Sequence, residues 1–366
     1  MFSRAIIFVV LFALVPLTGW GQVKVGTTGA LFLSESPSLR AIGMAGAGVA
    51  LIDDYSYYAN PGSLGLFATQ RRATANFYPG ATDFGSEVDF NHQALILPSI
   101  GLGQTNAFRL GIAAYRTTLT MPDLQGTTYN VGYAGRSYEF EDRTDNLVVA
   151  LGYSGPIEVG AGMTFKLIRE EVGDYTASGW GVDLGVLMRY PEGLVLYRGD
   201  KSRLSVSPAV GVAVNNLGPS ISMIHAAYPL PRSLRLGLAA TIAVNNTGRY
   251  KQWHVVSVVP AYDYEKRKDE QGFTIYGVEA GLGEAFYVRL GESSDGDLST
   301  YGLTINSKGL AKTVVALLAH DPGAAKKYGL VTERFSVEFS VAKSSYDGLY
   351  APFDRTYHSL SISYGW

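Results

Sequence analysis

From about residue 70 onward the chain alternates apolar with small or polar positions. Trp180, Val182, Leu184, Val186, Met188 and Tyr190 interleave with Gly181, Asp183, Gly185, Leu187 and Arg189. Leu234, Leu236, Leu238, Ala240, Ile242 and Val244 do the same against Ser233, Arg235, Gly237, Ala239, Thr241 and Ala243. A period of two marks β-strands with unlike faces, and no helical period of 3.6 competes with it. Many segments reach about ten residues, enough to cross a bilayer at a barrel's tilt, whereas sandwich strands usually run to five or six. Trp180 and Tyr190 stand at strand ends, where an interfacial aromatic girdle would hold them. The pattern predicts an all-β chain, a transmembrane antiparallel β-barrel with its apolar side chains toward lipid.

Candidate strands fall near residues 73–79, 88–97, 107–117, 146–154, 157–168, 179–190, 204–214, 233–245, 253–263, 272–281, 284–293, 299–306, 312–320, 334–343 and 356–366. Bacterial single-chain barrels have even strand numbers, so the expectation is about 14, with 88–97 and 312–320 the weakest members. The last segment is the most specific. Leu360, Ile362, Tyr364 and the terminal Trp366 share one face, opposite Ser359, Ser361, Ser363 and Gly365. A terminal aromatic on an alternating strand resembles the assembly signal of outer-membrane barrels.

Charge fits this picture. Arg109, Glu158, Lys166, Asp183, Arg235, Glu279, Arg289 and Glu338 fall opposite the apolar face. A hydrated lumen accepts them there, whereas a basic residue facing lipid at mid-depth costs roughly 2–4 kcal/mol. The short hairpin around Leu282 and Gly283 sets Glu279 and Arg289 diagonally on one face as a structural ion pair.

Composition narrows the function. The chain of 366 residues has Gly 43, Tyr 24, Phe 16, Cys 0 and 17% charged residues, which disfavours disorder. A net charge of -2 without a basic cluster argues against nucleic acid as a partner. Lack of cysteine removes disulfides, thiolate metal sites and cysteine nucleophiles. His92, His225, His254, His320 and His358 are scattered, with no metal spacing and no Gly-x-Ser-x-Gly elbow. No catalytic residue, metal or cofactor is therefore expected, and the chain reads as a non-enzyme.

The amino terminus carries an export leader. Met1 to Arg4 is a basic n-region, Ala5 to Leu17 an apolar core, and Gly19-Trp20-Gly21 a small-residue cleavage site. The core is short of the roughly 20 apolar residues that a spanning helix needs. The expected organisation is a signal peptide over 1–21, an N-terminal segment over 22–70 and the barrel over 71–366.

The segment from Arg40 to Gly65, RAIGMAGAGVALIDDYSYYANPGSLG, is too rich in glycine for a good helix and too apolar for an ordinary loop. It is no phosphate loop either. Gly46 and Gly48 lack their third glycine, Leu51 holding that place, and no strand and helix alternation follows.

Phe32-Leu33, Ser38 with Arg40, Gly43-Met44, Gly46 with Ala50, Asp53-Asp54 and Asn60-Pro61-Gly62-Ser63-Leu64 together resemble the PorV/PorQ branch of the FadL-like outer-membrane barrels. Members commonly read Met-Gly at Met44-Ala45 and Asn-Pro-Ala at Asn60-Pro61-Gly62. The resemblance covers about residues 30–66 at motif level. It implies an N-terminal segment folded into the lumen as a hatch. Gly43, Gly46 and Gly48 would then allow close backbone approach, Asn60-Pro61-Gly62 would form a turn, and Arg40 and Asp53 would pair with luminal charge.

The resemblance further implies an interaction protein of type IX secretion in the bacterial cell outer membrane, in contact with its lipid. Such a protein would bind translocon partners or cargo signal domains, with the looping segments Thr117–Thr144 and Lys343–Arg355 as contacts. The alternative is a FadL-type transporter of a hydrophobic ligand, which needs an apolar pocket in the lumen and a kinked wall strand. A soluble adhesin-like β-protein is a third and more distant reading.

Overall fold

A computed structural model describes residues 29–67, 72–78, 81–82, 89–103, 107–125, 137–200, 202–223, 226–246, 253–268, 270–295, 298–311, 335–346 and 355–365. The leader, the segment 312–320 and Trp366 lie outside the described residues. The strands are β1 (Arg72–Tyr78), β2 (Ala81–Thr82), β3 (Asp89–Ile96), β4 (Ile100–Leu102), β5 (Phe108–Gln125), β6 (Ser137–Tyr153), β7 (Glu158–Val172), β8 (Tyr175–Arg189), β9 (Leu194–Arg198) and β10 (Ser202–Leu217). They continue with β11 (Ile221–Met223), β12 (Ala226–Tyr228), β13 (Ser233–Asn246), β14 (Trp253–Arg267), β15 (Phe273–Leu282), β16 (Phe286–Ser293), β17 (Leu298–Asn306), β18 (Phe335–Tyr346) and β19 (Arg355–Gly365).

One large antiparallel sheet dominates. Its long strands pair in the succession β1, β3, β5, β6, β7, β8, β10, β13, β14, β15, β16, β17, β18, β19. β1 also pairs with β19, from Arg72↔Gly365 to Phe77↔Leu360, so the succession of fourteen strands returns to its start. These are the candidate strands of the sequence without 312–320, and β17 pairs directly with β18. The segment 88–97 is one of them, as β3.

The two faces are inverted relative to a water-soluble protein. On β7, Phe165 and Leu167 are 47% and 68% exposed, while Thr164, Lys166 and Ile168 between and beside them are buried. On β8, Trp180, Leu184, Val186 and Met188 are exposed, and Asp183 is 0% exposed. Leu234, Leu236, Leu238, Val256, Val258, Val288, Leu290, Leu303 and Ile305 continue this exposed apolar face around the sheet. Soluble proteins seldom expose contiguous apolar patches beyond a few hundred Å².

Two expectations need correcting. Thr117–Thr144 is largely strand, since β5 runs on to Gln125 and β6 begins at Ser137. Along this stretch the outer positions turn polar, with Arg116, Thr118, Arg143 and Asp145, while Tyr115, Thr117, Asp142, Thr144 and Asn146 stay buried inside. Burial alternates there but polarity does not, which is why the sequence read as a loop. Likewise Lys343 to Tyr346 belongs to β18 and Arg355 opens β19. Glu279 and Arg289 also stand directly opposite each other in register rather than diagonally.

The N-terminal segment covers the inner face. It contains 3-10 turns at Leu31–Ser34 and Ser56–Tyr58 and two short helices, α1 (Leu39–Ile42) and α2 (Gly62–Phe67). Ser38 caps α1 by accepting the Ala41 amide at 3.2 Å. Three buried apolar clusters join segment to sheet: Phe32, Leu33 and Leu39 with Phe90, Ile168 and Tyr357; Met44 and Leu51 with Val259, Phe273 and Ile275; and Tyr57, Leu64 and Phe67 with Ile96, Tyr115 and Val148. Tertiary packing accounts for these short helices in a glycine-rich segment, since neither has the length to stand alone.

Candidate functional site: the N-terminal segment and the cavity beside it

The segment is fastened to strands all around the sheet. Arg40 donates to Glu279 on β15 through Nε at 3.0 Å and through a terminal nitrogen at 2.7 Å. The same carboxylate accepts Arg289 Nε of β16 at 2.7 Å. Arg40 also pairs with Asp53 at 3.5 Å, which ties the segment to itself. Burial opposes the Arg40 charge, but Glu279 and Asp53 outweigh it and raise the guanidinium's proton affinity above its ordinary value. Lys166 and Asp183 pair at 2.8 Å with both side chains almost fully buried. Arg109 of β5 stands in register with Gly152 of β6.

Backbone groups of the segment use wall side chains as partners. The amides of Gly48 and Val49 donate to Asp263 Oδ2 on β14 at 2.9 and 3.0 Å, and the Ala45 amide donates to Thr300 Oγ1 on β17 at 2.8 Å. Ser361 Oγ on β19 donates to Asp54 at 3.1 Å. On β3, His92 Nε2 meets Tyr57 OH at 3.0 Å and its Nδ1 meets Thr117 Oγ1 at 2.9 Å. These contacts reach β3, β14, β15, β17 and β19 from one stretch of about twenty residues, an arrangement that satisfies backbone lacking a sheet of its own.

Asn60-Pro61-Gly62 is a start signal for a helix as well as a turn. Asn60 Oδ1 accepts the Gly62 amide at 3.0 Å, and its Nδ2 bridges Val49 O at 2.9 Å and Val186 O on β8 at 3.0 Å. Close approach is real here: a Cβ on Gly62 would stand 2.7 Å from Gly160 O and 2.8 Å from Gly185 O. Gly43 is less tight, a Cβ there standing 3.1 Å from Gly302 Cα and 3.2 Å from Arg289 Cβ. Gly46 is needed for its φ of +101°, and Gly48 mainly meets Ala41 and Ala59 of its own segment. Met44 is fully buried against Gly277 and Gly291. Ala45 adopts φ 56°, so the departure from Met-Gly puts a side chain at a left-handed position.

A cavity of about 290 Å³ opens between the segment and the sheet. Ser34, Glu35, Ser36, Ile42, Ala45 and Gly46 line one side. Opposite them stand Arg235, Glu265, Arg267, Phe273, Ile275, Asp295, Leu298, Ser344 and Tyr357. These lie at the end of the sheet away from Gly365, where β14 and β16 finish and β15, β17 and β19 begin. No local pattern signals this cavity, because its walls join the N-terminal segment to seven strand regions between Arg235 and Tyr357, about 190 or more residues further along the chain. Among the described residues no group of three or more His, Asp or Glu is placed to hold a metal ion.

A second feature concerns the wall. β3 ends at Ile96 and β4 resumes at Ile100, both on β5, with Leu97-Pro98-Ser99 between them. β1 pairs with β3 only as far as Ile96, and among the described residues β4 pairs with β5 alone. Proline cannot donate to a ladder, which accounts for the interruption.

No protein family and no curated protein matches the chain. Among solved structures, the chain is similar to the Pseudomonas putida toluene transporter TodX at 10% identity, covering 90% of this chain and 98% of that one, with a TM-score of 0.46. It is similar to a Pseudomonas aeruginosa FadL homologue at 10% identity, with coverages of 90% and 98% and a TM-score of 0.42. For the monoaromatic hydrocarbon channel CymD the values are 10%, 92%, 98% and 0.41. TM-scores below 0.5 are too low to carry an argument about function. The PorV/PorQ branch finds no support in these comparisons.

Proposed function

We propose that the chain is a bacterial outer-membrane β-barrel that admits small amphipathic molecules, with residues 30–67 seated in its lumen as a hatch. The meeting of β1 and β19 closes the wall, and the exposed apolar face is the lipid contact. Leu360, Ile362 and Tyr364 on that face, with Trp366 beyond them, serve as the assembly signal. The observation that carries the uptake reading is the 290 Å³ cavity between hatch and wall, near the lower end of the roughly 300–1,000 Å³ usual for small-molecule sites. Ile42, Phe273, Ile275 and Leu298 give it an apolar surface, while Ser, Glu, Asp and Arg side chains supply a polar one.

The break at Pro98 supports the same reading, since an interrupted wall strand offers a sideways exit into the membrane. In this arrangement a ligand enters at the end distant from Gly365, rests against the hatch and leaves through the wall or past a displaced hatch. Reconstitution into liposomes with entrapped fluorescent reporter tests it. Leu298→Trp, which fills the cavity from its rim, is expected to cut uptake of an apolar probe at least about fivefold while the protein still inserts and resists heat in detergent. Unchanged uptake in the correctly inserted variant would remove the cavity from the route.

A further inference from the structure

We infer that the cavity selects amphiphiles whose head is neutral and carries a hydrogen-bonding oxygen, an alcohol or a primary amide, over amphiphiles of either charge. This deepens the uptake reading and rests on it. The charged side chains of the lining are Glu35, Arg235, Glu265, Arg267 and Asp295, and each already has a partner. Arg267 pairs with Glu265 at 3.0 Å and with Asp295 at 2.9 Å. Arg235 pairs with Asp263 at 3.0 Å, and the same terminal nitrogen donates to Gly46 O of the N-terminal segment at 2.7 Å. An ion of either sign would therefore leave water for a space with no free counter-charge, or would have to break a pair that ties wall to wall or wall to hatch. Both routes are costly, because a charge taken out of water is stabilised only by a partner that completes its hydrogen bonds.

Two hydrogen-bonding groups of the lining remain unused. Arg235 Nε stands 3.3 Å from Glu265 Oε2 yet makes no hydrogen bond. The Ser344 hydroxyl, on a residue 4% exposed, has no partner either. Buried polar groups are normally satisfied, so both point to an occupant. Arg235 Nε needs an acceptor, whereas Ser344, which turns about a single bond, can donate or accept. A hydroxyl or amide oxygen serves them without displacing an ion pair. An ammonium carries donors alone and has nothing to offer Nε. A carboxylate could accept from Nε, but only beside the Glu265 and Asp263 carboxylates that already hold this arginine. The apolar tail then lies against Ile42, Ile275 and Leu298.

The test uses the full mature chain in lipid nanodiscs with four probes sharing an eight-carbon chain: 1-octanol, octanamide, octanoate and octylamine. Octanamide and octanoate have nearly the same shape and differ in charge. Displacement titration at pH 7 is corrected with empty nanodiscs and with Leu298→Trp for partition into lipid. It should give octanol and octanamide at least about tenfold tighter than either ion. That gap should hardly move with salt, since it comes from desolvation at short range. Ser344→Ala should weaken octanol and octanamide about three- to tenfold and leave the ions as they were. Octanoate binding as tightly as octanamide, or octylamine as tightly as octanol, would overturn the neutral selectivity while leaving uptake standing. Unchanged affinity for both neutral probes in Ser344→Ala would overturn the hydrogen-bonded head. Failure of all four probes to bind would overturn the cavity as a ligand site, and the uptake reading with it.

Discussion

At the residue scale, Glu279 is the junction of the account, because one carboxylate holds a hatch arginine and a wall arginine at once. Breaking a buried pair leaves an uncompensated charge, so Glu279→Ala, which strands both Arg40 and Arg289, should cost about 3–5 kcal/mol. Arg40→Ala leaves Glu279 with Arg289 and should cost less. Urea unfolding of the protein refolded into lipid vesicles measures both, and equal losses would contradict a shared carboxylate. Asn60 has a different role, since its amide satisfies two backbone carbonyls. Asn60→Ala should cost about 1–3 kcal/mol through those buried orphans in the same titration. Tyr58 donates to Leu33 O at 3.3 Å, and burial, with Asp183 close by, pushes its phenol up so that it stays a neutral donor. At this scale the sequence was readable where chemistry is local. Lys166, Asp183, Glu279 and Arg289 alternate with exposed apolar residues and are buried, and Asn60 Oδ1 accepts the amide of Gly62 two residues on. Arg40 and Glu279 are 239 residues apart, and only the tertiary fold says that they meet.

At the element scale, α2 shows how hatch and wall were shaped together. Gly62 and Gly65 lie against Gly160 and Gly152, and a Cβ on Gly160 would reach 2.1 Å from Gly62 O. That neighbour is backbone and cannot swing aside. Gly160→Ala should therefore lower the unfolding free energy by about 1–3 kcal/mol, with α2 loosened in hydrogen exchange while β13 to β17 remain protected. The interruption at Leu97-Pro98-Ser99 predicts a functional effect instead. Replacing these residues with Thr-Val-Thr, which permits a continuous ladder, should slow uptake and leave ligand binding intact; faster or equal uptake would move the exit elsewhere. Strand existence was legible because lipid-facing residues alternate with small or polar ones. Strand ends were not, because β5, β6 and β7 continue beyond the apolar zone where Arg143, Asp145 and Arg169 occupy outer positions. There the outer positions are polar like the inner ones, so polarity stops reporting which face is which. The cavity left still less trace, being defined by the gap between elements.

At the scale of the whole molecule, the proposed reading, a barrel with lipid outside and its own N-terminal segment inside, accounts for the large exposed apolar face and the buried charges of the opposite face. The protein should therefore fractionate with outer membranes and migrate faster on gels before boiling than after. Uptake adds a stronger demand, that the hatch be able to shift. Because the chain contains no cysteine, a single engineered disulfide can hold it without competing thiols. Asp54 and Ser361 touch at 3.1 Å across the junction of hatch and β19. The decisive measurement is uptake of an apolar probe by vesicles carrying Asp54→Cys with Ser361→Cys, compared before and after reduction. Uptake should be slow while the cross-link is closed, and reductant should restore it. Equal uptake in the cross-linked and reduced states would contradict a movable hatch within the barrel.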